Sequence, residues 1–288
     1  MSLYRGMDAA TLDVEYNARA TTPDMPAIVA GYRTRTEAAK AALAWSTHAY
    51  GPTEPERLDV YPAGPGAPVG APVLVFIHGG YWRALDSADG GSMAPAFVAA
   101  GACVVSVNYT LAPAASLDRI VDECRRALAW VHANIARFGG DPARIHVSGS
   151  SAGGHLAGML LVQGWQAGHG LPERAVAGAT LLSGLFDLTP LPHTHINAWM
   201  SLDTASAARN SPALLPLPSG TPVVLAYGDT ETAEFKRQTA DFAGALREAG
   251  CDAALLPARP GSNHFDIVFD LGELGNPLFE ATRRAMGL

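Results

Sequence analysis

One short stretch of the sequence has the form of a turn that carries a nucleophilic serine. Gly149-Ser-Ser-Ala-Gly153 is a G-x-S-x-G motif with Ser151 at its centre. A buried strand is predicted before it and an amphipathic helix after it, which is the setting of a nucleophile elbow. The glycines leave room for a strained turn that lifts the hydroxyl above the sheet, where it can attack a carbonyl carbon. A glycine-rich turn that merely caps a helix is the alternative, and 30 glycines in the chain make the motif alone a modest signal.

A second motif follows an earlier predicted strand and has the donors to stabilise the negative charge that such an attack creates. In His78-Gly-Gly-Tyr-Trp82 the backbone N–H groups of Gly79 and Gly80 can point at an oxyanion. Ala152, next to the serine, would supply a third N–H. A plain β-turn with packed side chains is the alternative. The motif ends in two aromatic residues, Tyr81 and Trp82. They could equally form the wall of a substrate pocket or anchor the loop in the core.

A serine nucleophile needs a histidine base and a carboxylic acid, and in a strand–turn–helix arrangement these follow it in the order acid, then histidine. His264 lies in Gly261-Ser-Asn-His-Phe265, after the last predicted strand, and is the best placed of the nine histidines. The acid is expected in Tyr227-Gly-Asp-Thr-Glu231, where Asp229 and Glu231 compete. The G-x-x-acid spacing favours Glu231, and Asp229 is the alternative. The acid would orient His264 and stabilise its cationic form.

Alternating apolar strands and amphipathic helices must position these residues. This alternation predicts parallel pairing through right-handed crossovers, and hence a single α/β domain over residues 1–288 with three layers and a mostly parallel central sheet. Two segments outside the alternation, residues 1–49 and 187–218, are predicted to cap the carboxyl edge of the sheet, where such folds bind ligands. Strands are predicted at residues 57–61, 72–78, 102–107, 144–148, 177–182, 222–227 and 253–256, and helices at residues 116–138, 151–163, 232–249 and 276–286.

Three motifs together resemble the α/β-hydrolase superfamily: HGGYW at 78–82, GSSAGGHLAG at 149–158 and NHFDIV at 263–268. More narrowly, the chain is similar to the kynurenine formamidase (arylformamidase) branch and its bacterial carboxylesterase relatives, neighbours of the hormone-sensitive-lipase group. The likeness extends over almost the whole chain through shorter matches, which are Tyr4-Arg-Gly-Met7, Tyr16-Asn-x-Arg19, Arg209-Asn-Ser-Pro212 and Glu234-Phe-Lys-Arg-Gln238.

The resemblance implies Ser151 as nucleophile, His264 as base and Glu231 as acid, in an enzyme that cleaves small carboxylic esters or N-formyl arylamides through an acyl-enzyme. The chain departs from the animal formamidases, which have Asp where Glu231 stands, and from many hormone-sensitive-lipase relatives, which have Arg in place of Thr110 after Asn108-Tyr109. The alternative is a catalytically silent homologue that binds a small molecule. A Ser151→Ala variant would separate the two, because a receptor keeps its ligand response and an enzyme loses turnover.

Composition and charge bear on the partners. With 288 residues, 48% of them hydrophobic, the chain can bury a large core, which excludes wholesale disorder. A net charge of −7 with scattered arginines gives no basic footprint for nucleic acid or an anionic membrane. We expect a small-molecule ester or amide as substrate, with no nucleic-acid or membrane partner. A homodimer is an assembly that the sequence permits.

Cysteine usage and the N-terminus indicate a cytoplasmic protein. The three cysteines are far apart and form no disulfide framework or zinc pattern, and residues 1–19 lack the apolar region of a signal peptide. The longest nearly apolar run, residues 93–107, contains Pro95 and Gly101 and falls short of a membrane span. His193-x-His195 has no third ligand nearby in the sequence. We therefore expect neither a metal ion nor an organic cofactor.

Overall fold

A computed structural model describes residues 2–288, and Met1, the first residue of the predicted cap, lies outside them. The strands are β1 (Ser46–Ala49), β2 (Arg57–Tyr61), β3 (Ala71–Ile77), β4 (Cys103–Val107), β5 (Gly140–Ser150), β6 (Gly178–Leu182), β7 (Pro222–Ala226) and β8 (Asp252–Leu255). The helices are α1 (Ala9–Glu15), α2 (Met25–Ala42), α3 (Ala94–Ala99), α4 (Leu117–Asn134), α5 (Ala152–Leu161), α6 (Asn197–Met200), α7 (Thr204–Arg209), α8 (Ala233–Glu248), α9 (Ile267–Asp270) and α10 (Pro277–Ala285).

The strands form one eight-stranded sheet in the order β1-β2-β4-β3-β5-β6-β7-β8. The β1–β2 and β2–β4 pairs are antiparallel, and every other neighbouring pair is parallel. The predicted three-layer α/β fold with a mostly parallel sheet is therefore confirmed. In the central pair, Ile77 of β3 lies opposite Gly149 of β5. This register brings the ends of the two strands that precede the sequence motifs to the same edge of the sheet.

Apolar side chains fill both faces of the sheet, which explains why the central strands read as continuous hydrophobic runs. Along β3, Val73, Val75 and Ile77 point into one core, which they share with apolar residues of α1, α4, α5 and α8. Leu74 and Phe76 alternate with them and point into a second core, shared with residues of α2, α3, α9 and α10. Each such side chain, once fully buried, contributes about 1.5–3 kcal/mol to folding.

The sequence prediction is wrong at the start of the sheet, because residues 46–49 belong to β1 and not to the cap. Ser46–Ala49 pairs with β2 at the edge, and its side chains alternate between half-buried and exposed. An edge strand with one solvated face needs few apolar residues, so Ser-Thr-His-Ala carried no strand signal. No helix in residues 2–288 combines the length and the apolar character needed to cross a bilayer.

Candidate active site

Ser151 occupies a strained turn between β5 and α5. Its backbone has φ +58° and ψ −123°, a left-handed conformation that a non-glycine residue adopts at a cost of about 1–3 kcal/mol. Two backbone hydrogen bonds hold the turn: the N–H of Ser151 donates to the carbonyl oxygen of Leu182 at 2.9 Å, and its carbonyl oxygen accepts from the N–H of His155 at 3.0 Å. Such strain persists only where the surroundings fix the backbone, and it is common at reactive residues.

Close backbone approach around this turn accounts for the glycines of the motif. A Cβ atom on Gly153 would lie 2.0 Å from the carbonyl oxygen of Ile77, and one on Gly149 would lie 2.3 Å from the carbonyl oxygen of Gly153. Both distances fall far inside van der Waals contact. Helix α5 can therefore begin directly against the end of β3 only because these two positions have no side chain.

The loop that follows β3, residues 78–84, passes beside Ser151 and is called the HGG loop below. A Cβ atom on Gly79 would lie 3.3 Å from the Cβ atom of Ser151. The backbone N–H groups of Gly79 and Gly80 donate to no protein atom in residues 2–288. Ala152 is the first residue of α5, where an N–H has no partner within the helix. Free amides therefore lie on both sides of the serine, as an oxyanion site requires.

A buried aromatic stack fixes the start of the HGG loop. The rings of His78 and Tyr109 are nearly parallel at 7°, with their centroids 4.2 Å apart. The Tyr109 hydroxyl donates to the carbonyl oxygen of His78 at 3.0 Å. Burial lowers the pKa of His78, so its imidazole is neutral near pH 7. This support holds the loop backbone in place while its amide groups stay unbonded.

His264, which follows β8, contacts Glu231, which follows β7. The Nδ1 atom of His264 lies 3.0 Å from Oε2 of Glu231, and both side chains are almost completely buried. An ionised carboxylate can only accept a hydrogen bond, so Nδ1 carries the proton and Nε2 keeps a lone pair. Ser151 and His264 line the same cavity. No hydrogen bond joins Ser151 Oγ to His264 Nε2 within the described chain, and such bonds are often long before a substrate binds.

The second oxygen of Glu231 is also held. Its Oε1 accepts hydrogen bonds from the Ser183 hydroxyl and from the backbone N–H of Gly228, each at 2.5 Å. Asp229 faces another way, and its Oδ2 accepts from the N–H of Gly261 at 3.0 Å. Of the two acids that competed in the sequence, Glu231 is therefore the one in contact with His264.

The sequence prediction missed Ser183. This residue is fully buried and directly follows β6. Its backbone has a φ of +48°, and its hydroxyl contacts the carboxylate of Glu231. A polar residue placed just after a buried apolar strand was the available signal, because the carboxyl ends of parallel strands meet at the ligand-binding edge.

A cavity of about 340 Å³ opens above these residues. Its volume is in the range typical of small-molecule sites. The walls are mainly apolar and aromatic near Ser151 and His264. Those two residues share the cavity with side chains from the sheet, from the HGG loop and from both predicted cap segments, including Met25, Val29, Tyr32, Phe76, Tyr81, Leu85, His195, Trp199, Phe265 and Val268.

Both segments that were predicted as caps contribute to this cavity. Helix α2 supplies Tyr32, whose hydroxyl donates to the carbonyl oxygen of Phe265 at 2.6 Å. The segment of residues 187–218 supplies Trp199, whose indole Nε1 donates to the carbonyl oxygen of Tyr81 at 3.1 Å. The hydroxyl of Tyr81 in turn donates to the carbonyl oxygen of Tyr16. The N-terminal segment, the HGG loop and the second segment are thus joined around the entrance.

The two aromatic residues of the HGG loop have different surroundings. Tyr81 lines the cavity, whereas Trp82 is fully buried and does not. The indole Nε1 of Trp82 donates to Nδ1 of His155 at 3.2 Å, and Nε2 of His155 is bonded to the carbonyl oxygen of Asn210 at 2.7 Å. Of the two alternatives that the sequence left open for Trp82, a pocket wall or an anchor, this burial supports the anchor, because the side chain holds the HGG loop against α5.

The described chain offers no evident metal centre. Within residues 2–288, no group of three or more His, Cys, Asp or Glu side chains is arranged to hold a metal ion. His195, from the H-x-H pair of the sequence, is engaged with Asp13, with its Nδ1 at 2.9 Å from Oδ1 of the carboxylate. The polar groups of the cavity wall are amides, hydroxyls, imidazoles, guanidinium groups and the carboxylate of Asp89.

Comparison with known proteins identifies the family. Residues 58–171 match the BD-FAE family. The chain is 30% identical to the kynurenine formamidase of Danio rerio over 283 residues, which cover 94% of each chain. It is 30% identical to the esterase LipQ of Mycobacterium tuberculosis over 214 residues, which cover 68% of this chain and 51% of that one.

A solved structure gives the same picture for the fold. The crystal structure of a protein from Silicibacter sp. TM1040, provisionally named a thioesterase, superposes with a TM-score of 0.81 at 26% identity, and the match covers 94% of this chain and 98% of that one. The related chains are thus named as hydrolases. Because the match to a kynurenine formamidase extends over 94% of both chains, the resemblance found in the sequence is confirmed, and the chain belongs to the kynurenine formamidase family of α/β-hydrolases, together with related bacterial esterases.

Proposed function

We propose that the protein is a serine hydrolase that cleaves N-formyl arylamides, and small carboxylic esters of similar shape, through an acyl-enzyme. The observation that supports this most is the contact between His264 Nδ1 and Glu231 Oε2 at 3.0 Å, beside a cavity that Ser151 also lines. This contact fixes the tautomer in which Nε2 can accept a proton. A catalytically silent binding protein would have no need of a buried carboxylate to fix that tautomer.

The first half of the reaction forms an ester on Ser151. Nε2 of His264 takes the hydroxyl proton as Oγ attacks the carbonyl carbon of the substrate. The resulting oxyanion accepts hydrogen bonds from the backbone N–H groups of Gly79, Gly80 and Ala152. The imidazolium then gives its proton to the leaving nitrogen or oxygen, and the bond to the leaving group breaks. Glu231 stabilises the imidazolium throughout this half-reaction.

The second half releases the acyl group by the same chemistry. A water molecule loses a proton to Nε2 of His264 and attacks the acyl carbon of the ester on Ser151. The tetrahedral intermediate collapses, and the imidazolium returns its proton to Oγ. With an N-formyl arylamide the products are an arylamine and formate. No cofactor takes part, because every proton and electron pair is supplied by the side chains and water.

The cavity favours an aromatic leaving group. Its walls around the serine are aromatic and aliphatic, with Tyr32, Phe76, Leu85 and Val268 among them, and such walls suit the flat face of an arene. Its volume of about 340 Å³ admits a substrate of small-molecule size. The name of the Danio rerio relative, kynurenine formamidase, makes N-formylkynurenine the first formamide to test.

The test is a substrate panel with the purified protein. Turnover of N-formylkynurenine and of a short series of p-nitrophenyl esters is measured at pH 7.5 for the wild type and for Ser151→Ala. We expect hydrolysis of at least one of the two substrate types by the wild type and a loss of about 10⁴-fold or more in kcat for the variant. As a matched control, Ser219→Ala removes a serine hydroxyl that lies outside this cavity and should retain full activity.

Two results would reject the proposal. The wild type could turn over neither type of substrate although it is folded, as judged by a cooperative thermal transition. Alternatively, Ser151→Ala could keep wild-type turnover, and the acyl-enzyme would then be excluded.

A further inference from the structure

Two arginines in the cavity wall have no anionic partner among residues 2–288. Arg19 and Arg83 both line the cavity and are both exposed, and neither forms an ion pair or a side-chain hydrogen bond within residues 2–288. A third arginine next to the cavity differs, because Nε of Arg33 lies 2.8 Å from the carboxylate of Asp89, itself part of the cavity wall. The acidic side chain of that wall is therefore already neutralised, and the two unpaired guanidinium groups leave a local positive charge.

Arg83 is held in place although it is unpaired. Its guanidinium carbon lies 3.7 Å from the centroid of the Trp199 ring, a cation–π arrangement. Trp199 is itself fixed by the hydrogen bond from its Nε1 to the carbonyl oxygen of Tyr81. Stacking occupies the face of the guanidinium and leaves the N–H groups on its edge, which match the two oxygens of a carboxylate. Arg19 has no such stacking partner in the described part of the chain, so Arg83 is the better organised of the two.

The position of Arg83 relates it to the reacting atoms. Arg83 lies in the HGG loop, three residues after Gly80. Its backbone N–H donates to the carbonyl oxygen of Gly80 at 3.1 Å, so a single turn of the loop separates it from the amides beside Ser151. The apolar walls lie in the same cavity. A substrate with its scissile bond at Ser151 and its arene against those walls can therefore present a charged group to Arg83.

We infer that Arg83, stacked on Trp199, is the residue that selects substrates carrying a carboxylate on the leaving-group side. The protein's net charge of −7 would otherwise repel a carboxylate, and a fixed cation in the cavity wall reverses that effect locally. The inference rests on the proposed function and adds to it a preference among aryl formamides: acid-bearing substrates are bound more tightly than analogues whose carboxylate is esterified.

A pair of substrates that differ only in this charge tests the inference. N-formylkynurenine and its methyl ester share the same formamide bond and arene, and kcat/KM for the release of formate is measured for both with wild type, Arg83→Gln and Arg83→Lys. From the usual strength of hydrogen bonds to charged groups, we expect Arg83→Gln to lower the acid-to-ester ratio of kcat/KM by about 10- to 100-fold. The main change should be a higher KM for the acid. Arg83→Lys keeps the charge without the planar stack and should give a smaller loss.

Control variants separate this role from a general effect of losing an arginine. Arg174 is exposed, has no ion pair within residues 2–288 and lies outside the cavity, so Arg174→Gln should keep the wild-type ratio. Arg19→Gln tests the competing cation in the wall. Thermal unfolding of each variant checks that the fold is retained.

The outcomes distinguish this inference from the proposed function. If wild type hydrolyses both substrates and Arg83→Gln changes the acid-to-ester ratio by less than threefold, the inference is overturned and the proposed function stands. A selective loss of the acid in Arg19→Gln, with Arg83→Gln unaffected, also overturns it. If wild type hydrolyses neither substrate nor any p-nitrophenyl ester, the proposed function fails and the inference is rejected with it.

Discussion

Replacing Gly79 by alanine tests whether the HGG loop amides stabilise the transition state. Gly79 does not have a positive φ, so alanine can adopt its backbone conformation without strain. The added Cβ atom, however, would lie 2.8 Å from the carbonyl oxygen of Ser150, where ordinary contacts begin near 3.4 Å. This carbonyl oxygen belongs to the backbone of the Ser151 turn, which two hydrogen bonds hold in place. The HGG loop must therefore move away by several tenths of an ångström.

That displacement is enough to weaken hydrogen bonds that form only in the transition state. Loss of one oxyanion donor typically costs about 10²–10³ in kcat, or roughly 3–4 kcal/mol. We therefore expect Gly79→Ala to lower kcat for N-formylkynurenine or a p-nitrophenyl ester by about 100-fold or more, with a much smaller change in KM. The fold should persist, because overpacking of this kind costs about 1–3 kcal/mol.

The assay is steady-state kinetics, with thermal unfolding measured in parallel. Gly244→Ala is the matched control, because a Cβ atom at Gly244 in α8 meets no atom within 4 Å, and alanine favours the helix by about 1 kcal/mol. The control should keep wild-type kcat. A folded Gly79→Ala variant with wild-type kcat would refute the reasoning, since the amides of the displaced loop would then have no role in the rate.

Two further predictions concern the carboxylates and the buried imidazoles. Glu231→Gln should lower kcat by about 10³–10⁴-fold through loss of the tautomer-fixing charge on His264, whereas Asp229→Asn should lower it by less than tenfold; equal losses in steady-state assays would contradict the assignment of the acid. Burial lowers the pKa of His155 to about 4. Between pH 6.5 and 4 the imidazole is therefore protonated in the unfolded chain but not in the folded one. Through this residue, acidification lowers the free energy of unfolding by about 2–3 kcal/mol. Urea unfolding at pH 7 and pH 4.5 should show a smaller loss for His155→Gln, and an unchanged loss would refute this.

Local patterns sufficed to predict seven of the eight strands, the helices α4, α5, α8 and α10 and the motif-bearing turns, because each depends on a short stretch of sequence. Helices α1, α2, α3, α6, α7 and α9 were not predicted. The run before His78 is apolar on both faces, so it is recognisable as a central strand, and glycine is required where the backbones meet. The edge strand Ser46–Ala49 escaped prediction because its solvated side chains give no such pattern.

The remaining features of the site depend on contacts between distant segments. Ser183 reaches Glu231 across 48 positions of the chain, and Arg83 is stacked on Trp199 from the second cap segment. Sequence spacing alone left Glu231 and Asp229 as alternatives, and only the geometry places one of them at His264. The burial of Trp82 is likewise tied to its hydrogen bond with His155, a contact that no local sequence pattern predicts.

Covalent labelling by a serine-reactive phosphonate tests directly whether Ser151 is the nucleophile. The protein is incubated with a p-nitrophenyl alkylphosphonate, and the modified peptide is identified by mass spectrometry alongside the loss of turnover. We expect one adduct per chain on Ser151, with inactivation in step with labelling, a slower reaction in Glu231→Gln, and no adduct in Ser151→Ala. An adduct on another residue, or full turnover after stoichiometric labelling of Ser151, would contradict this expectation.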